Sequence, residues 1–269
     1  MGHSELRGTQ DQPAAAVARP PAIAGLSHRN ESGNRSASAW QQRLRRHRYL
    51  VLLLLLVCSI IVRSIEQRFT GLTAIADLLL GVSLLAMVLV VFEGRRSRLV
   101  ALCFWVVVVA LGLARTILPE VHNSWLEVPQ RLLLVLFHGW AAALILRDVF
   151  EQERIGADDV LGAVSGYLLA AGGWGDLYYL FDLLVPGSFT ISPDLAAQYA
   201  DPQARSGLFN YFSLATITSI GYGDIAPIRG PMTAITMLET VFGQFYLAVV
   251  VAQLVGIRLA QGAQDKDGG

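Results

Sequence analysis

Thr216-Ile217-Thr218-Ser219-Ile220-Gly221-Tyr222-Gly223-Asp224 is the stretch on which the reading of this chain turns. Glycine at two alternate positions, Gly221 and Gly223, permits backbone conformations that a side chain forbids. Taken alone, Gly-Tyr-Gly reads as a turn, but its surroundings argue for more. Leu208–Thr218 supplies about three turns of apolar and hydroxyl residues, the composition of a short helix. Pro186–Ser206 before it is polar and turn-rich. The whole segment separates two apolar runs by about forty-five residues, too many for a tight helical hairpin and too few for a domain.

Hydrophobic residues make up 54% of the chain and charged residues only 16%. The apolar residues are gathered into long runs, the pattern of a polytopic membrane protein and not of a soluble core. Formal net charge is zero, so nothing in the charge balance points to nucleic acid or an acidic partner. Cys58 and Cys103 lie inside apolar runs and read as small hydrophobes, with neither a disulfide framework nor a metal-ligand cluster. Residues 1–40 are rich in Gly, Ser, Ala, Pro, Arg and Gln without periodicity, and are expected to be a disordered cytoplasmic N-terminus. The first apolar run starts so far behind this polar segment that it reads as a retained span, not a cleaved signal.

Six spans are expected, at about Tyr49–Ile65, Leu72–Phe92, Leu99–Leu118, Val128–Leu146, Val160–Val185 and Met232–Ile257, each near the ~20 residues that cross hydrocarbon. Arg48 and Arg63 bracket the first, and Gln130, Arg131 and Arg147 the fourth, where they are expected to snorkel to the interfaces. Lys266 is the only lysine, so orientation rests on arginine. Arg43, Arg45, Arg46 and Arg48, then Arg95, Arg96 and Arg98, then Arg147 and Arg154 mark the cytoplasmic side, with Arg63 and Arg68 dissenting. Both termini are then cytoplasmic and the Gly-Tyr-Gly segment faces outward.

Ser219-Ile220-Gly221-Tyr222-Gly223 differs only conservatively from the Thr-Val-Gly-Tyr-Gly selectivity filter of potassium channels. The order of elements over about Val160–Ile257 resembles their pore module, specifically over Tyr211–Pro227 and loosely elsewhere. The resemblance implies K⁺ held by backbone carbonyls at Ser219, Ile220, Gly221 and Tyr222, with Gly223 completing the filter. It also implies support from Tyr211, Phe212, Thr218 and Asp224, including a bond from the Tyr211 hydroxyl to Asp224. Ala215 stands where some relatives carry a glutamate, and Ser219 where most carry a threonine. Irregular backbone at membrane depth must be enclosed by protein or line a wet cavity. One filter per chain therefore implies an oligomer, and the resemblance implies a homotetramer with a re-entrant pore helix between spans five and six.

On the last span Gly243 stands at the spacing from Asp224 where many channel inner helices carry a gating glycine. A bend there and close packing there are both open readings. Gln244, Leu247, Val251 and Val255 share one helical face and are expected to line the cavity below the filter. Charges inside spans are functional suspects. Asp77 and Arg115 are expected to pair, Asp176 and Glu239 to lie behind the pore helix where either can anchor its hydroxyls, and His138 to be a hydrogen-bonded interior histidine.

Six spans with the pore between the last two resemble the voltage-gated-like superfamily, whose fourth span carries an arginine ladder. Here no arginine lies between Arg131 and Arg147. The expected division is residues 1–40 as N-terminus, 41–150 as a voltage-sensor-like four-helix domain without its ladder, 151–259 as the pore domain, and 260–269 as a short cytoplasmic tail. The fold class expected is an all-α membrane protein. Its expected function is passive, K⁺-selective conduction in a bacterial inner membrane, without steep voltage gating. No catalysis or organic cofactor is expected, and the partners are lipid, K⁺ and further copies of the chain. A weakly selective cation channel, a transporter subunit with degenerate filter loops, and a non-conducting accessory or sensor subunit are the competing readings.

Overall fold

Seven helices of defined extent and one short strand pair carry most of the described part of the chain, with residues 81–83 and 85–86 also helical. The computed structural model describes residues 48–66, 81–83, 85–86, 95–117, 124–151, 156–228 and 230–267, which lie in one compact unit, Arg46–Gly269. In chain order these residues form α1 (Arg48–Glu66), α2 (Arg95–Ile117), α3 (Ser124–Glu151), α4 (Ala157–Leu184) and β1 (Phe189–Ile191). A 3₁₀ turn (Pro193–Leu195) follows, then α5 (Ala196–Ala200), α6 (Pro202–Ile217), β2 (Ile225–Pro227) and α7 (Gly230–Asp267). The expected N-terminus 1–40, most of the expected second span including Asp77, and the side chain of Arg115 lie outside the described residues.

Three described helical stretches are long and apolar enough to cross a membrane: Arg95–Ala114, Leu126–Glu151 and Gly230–Leu259, with Tyr49–Val62 a shorter apolar helix. The fifth expected span forms α4, a helix of 28 residues that is not among them. Its sequence is interrupted by glycine, tyrosine and aspartate, and it packs against α1, α3, α6 and α7. Its small residues let neighbours approach closely. A Cβ at Gly162 would meet the Tyr49 ring, and one at Gly175 would meet Asn210.

Two apolar clusters result. One joins α1, α2, α3, α4 and α7 through Tyr49, Leu52, Val108, Phe137, Leu169 and Tyr246. The other is aromatic and clamps α6 onto α4 and β1, with Tyr178–Phe212 and Phe189–Phe209 ring centroids both 5.1 Å apart. Such edge-on pairs add about 0.5–1.5 kcal/mol each to plain area burial. α7 buries Met232, Glu239, Tyr246 and Val250 but leaves Met237, Val241, Phe245, Leu247, Val251 and Val255 exposed on the single chain. Water does not tolerate so long an apolar face; lipid or further copies of the chain do.

The polar segment before the Gly-Tyr-Gly stretch is more ordered than its composition suggests. β1 and β2 pair antiparallel, Phe189 with Pro227, Thr190 with Ala226 and Ile191 with Ile225. This small sheet is a departure from a purely helical fold. α6 begins at Pro202, earlier than the Leu208 expected from apolar periodicity, because proline suits a helix start and the first turns are polar. α7 runs unbroken through Gly243 and on into the expected 260–269 tail as far as Asp267.

Candidate functional site

The 218–223 loop begins where α6 runs out of partners for its carbonyls. Ser219 N–H donates to Thr216 O at 2.9 Å, and the N–H groups of Ile220 and Gly221 both donate to Ala215 O, at 2.9 and 3.1 Å. This closure requires a left-handed residue at the helix end. Ser219 takes it with φ 60°, the one non-glycine residue with positive φ among those described. Gly221 and Gly223 follow at φ 57° and 80°, while Ile220 and Tyr222 stay out of that region. Alternating the sign of φ turns successive peptides the same way, whereas a regular strand turns them oppositely. Alanine at either glycine would meet no atom within 4 Å, so the demand for glycine is conformational, not steric.

Above the loop, Asp224 is held three ways. The Tyr211 hydroxyl donates to its Oδ2 at 2.6 Å, the bond expected from the sequence. Ile225 N–H donates to its Oδ1 at 3.0 Å, and Ser192 N–H donates to its carbonyl at 2.8 Å. The β1–β2 ladder thus pins the end of the loop to the polar segment before α6. Tyr211 also stacks on Tyr222, centroids 5.8 Å apart and planes 13° from parallel. A hydrogen bond to a charged group contributes about 1.5–3 kcal/mol.

Below the loop, α7 makes the contacts. Gly243 lies against the Ile217 carbonyl so closely that a Cβ would collide with it. That carbonyl also accepts the Tyr167 hydroxyl of α4 at 2.8 Å. One residue on, Gln244 Nε2 donates to Ser219 Oγ at 2.8 Å. Thr218 Oγ1 donates back to Leu214 O at 2.5 Å, which finishes the helix. Gln244, Leu247, Val251 and Val255 stay exposed on the single chain together, as does the loop, with Ile220 57% and Tyr222 65% exposed.

Behind the loop two buried acids connect helices. Glu239 is 0% exposed; it accepts the Tyr178 hydroxyl of α4 at 2.5 Å and the Ser213 hydroxyl of α6. Asp176 forms a second cluster, at the start of α6. Arg131 Nη1 is 2.8 Å from its Oδ1 and also donates to Ser206 Oγ of α6 at 2.8 Å, while His138 Nδ1 is 3.3 Å from Oδ2. Arg131 was expected at the interface, yet it is only 7% exposed, because a carboxylate and a hydroxyl inside the bundle offer it partners. His138 is buried as expected, its Nδ1 3.0 Å from Leu134 O. Single-residue composition marked the charges as unusual; their partners depended on packing.

Further out, Tyr199 donates to Asp182 Oδ1 at 2.8 Å, and Arg205 Nε donates to Tyr199 O at 2.7 Å. This trio ties α5 and the start of α6 to the end of α4. Tyr199, outside the spans, has its hydroxyl pushed up to about 12 by burial first and by the Asp182 carboxylate second. Sequence reasoning passed over Tyr167, Tyr178, Ser192, Ser206 and Ser213; none of them stands out in a chain rich in tyrosine and serine.

Residues 205–258, from α6 through the loop and most of α7, match a family model described as an ion channel. No curated protein and no solved structure matches the chain. The match supports an ion channel pore module in this stretch, and together with the apolar helices it supports a membrane protein.

Proposed function

We propose that the chain is the subunit of a homotetrameric, K⁺-selective channel that conducts passively, with Ser219, Ile220, Gly221, Tyr222 and Gly223 as the filter. The observation that carries the reading is the alternation of positive φ at Ser219, Gly221 and Gly223 inside the ion channel match. A chain that presents successive carbonyls to one side replaces the hydration shell of a monovalent cation. Exposure of the loop and of one α7 face supports closure by further copies around an axis, since such backbone is stable at membrane depth only when enclosed. Asp176 and Glu239 then brace the pore helix from behind and do not line the path.

The cytoplasmic placement of both termini and the four-helix domain without an arginine ladder belong to the same reading. Steep gating needs several charges per subunit, because each contributes only ~2.3 kcal/mol per 100 mV. The test is a planar-bilayer recording of purified protein with K⁺ on one side and Na⁺ on the other. A reversal potential near that of K⁺ with a shallow conductance–voltage curve is expected. A reversal potential near zero would point instead to a weakly selective channel.

A further inference from the structure

Two consecutive residues of α7 engage two different parts of the loop's lower end. Gly243 supports the Ile217 carbonyl, the last of α6, and Gln244 reaches Ser219 Oγ at 2.8 Å. Ser219 itself holds a left-handed backbone, φ 60°, which a non-glycine residue adopts only when its surroundings hold it there. The hydroxyl at the mouth of the loop is therefore positioned by its own helix end and engaged from the neighbouring helix.

A serine hydroxyl has one proton to donate and two lone pairs to offer. A cation approaching the mouth binds the oxygen through a lone pair. The Gln244 amide N–H already occupies one of the two and withdraws electron density from the oxygen. We propose that Gln244 tunes the innermost site, weakening cation binding there by competing for the Ser219 hydroxyl. The inference rests on the reading of Ser219 as a filter residue and takes its side-chain hydroxyl as the innermost ion ligand. It adds that α7 sets the strength of that site directly, one residue beyond the position at which it packs on α6.

Because removing an amide donor also removes support for Ser219, the sign of the effect separates the two roles. Loss of mere support weakens ion binding; loss of a competitor strengthens it. The probe is Ba²⁺, close to K⁺ in size with twice the charge, titrated calorimetrically into the full-length protein in detergent and K⁺-free buffer. Four proteins are compared: wild type, Gln244→Leu, Ser219→Ala and the double variant. Gln244→Leu is expected to bind Ba²⁺ roughly three- to ten-fold more tightly, the range a single hydrogen bond supplies. In the Ser219→Ala background the same change is expected to have no effect, since the hydroxyl for which the two compete is gone.

Equal or weaker binding in Gln244→Leu, or an increase that persists without the Ser219 hydroxyl, overturns the proposal. Should Gln244→Leu fail to assemble, Gln244→Met, of similar length and without an amide, is measured against the same criteria. Absence of Ba²⁺ uptake in all four proteins overturns Ser219 as an ion ligand and the inference with it. Uptake that ignores Gln244 overturns the inference alone.

Discussion

Gly243 of α7 and Ile217 of α6 meet backbone to backbone, with the Ile217 carbonyl occupying the space a side chain at 243 would need. The open choice between a bend and close packing at Gly243 is sharpened by this contact, since α7 is continuous there. Gly256, on the same helix, would place a Cβ in open space.

Gly243→Ala should therefore destabilise the fold by about 1–3 kcal/mol, the cost of forcing an atom into a packed contact. Gly256→Ala should be neutral or stabilising by up to about 1 kcal/mol, because alanine favours the helix. Thermal melts of the two purified variants compare them. A lower melting temperature for Gly256→Ala than for Gly243→Ala would contradict the contact.

Gly221→Ala and Gly223→Ala should abolish K⁺ current while leaving helix content and assembly intact. The substitution meets no neighbour on the single chain, so its whole effect is on φ, at roughly 1–2 kcal/mol per left-handed residue. Bilayer currents and circular dichroism on the same preparation check this. Ordinary K⁺ current from Gly223→Ala would remove the filter assignment.

Asp176→Asn should cost about 3–5 kcal/mol, because it leaves the Arg131 charge buried without its counter-charge. Replacing both, as Arg131→Met with Asp176→Leu, should recover much of the loss. The yield of folded protein and its melting temperature report the effect. Equal damage from the single and double variants would show that the pair is not what holds α3 to α4.

The Tyr199 hydroxyl titrates near 12, above its ordinary value of about 10. Its raised value means the folded state holds the proton more tightly than the unfolded chain. That contribution to stability is fully present below about 10 and is lost as pH rises through about 12. Tyr199→Phe should lose the Asp182 bond at every pH, so its deficit against wild type should shrink between pH 10 and 12. Melting temperatures of both proteins across that window are the measurement, and a deficit that grows with pH would reverse the sign argued here.

Much of this architecture is legible one segment at a time. The lengths of the apolar runs, the paired glycines at 221 and 223, and the empty stretch between Arg131 and Arg147 are properties of consecutive residues, and local chemistry suffices to read them. The Tyr211–Asp224 bond spans only 13 positions and was within reach of motif resemblance. The small β1–β2 sheet was not, because three-residue strands have too little periodicity to register.

What tertiary structure alone decided is which distant groups meet. Arg131 finds Asp176 across 45 positions, Tyr178 finds Glu239 across 61, and Gln244 finds Ser219 across 25. A charge inside an apolar run must be paired, so the sequence by itself announces that Asp176 and Glu239 need partners. Which partner each obtains depends on how helices rotate and slide as their small residues close-pack, and that choice is made by the sum of many apolar contacts with no local signature in the chain.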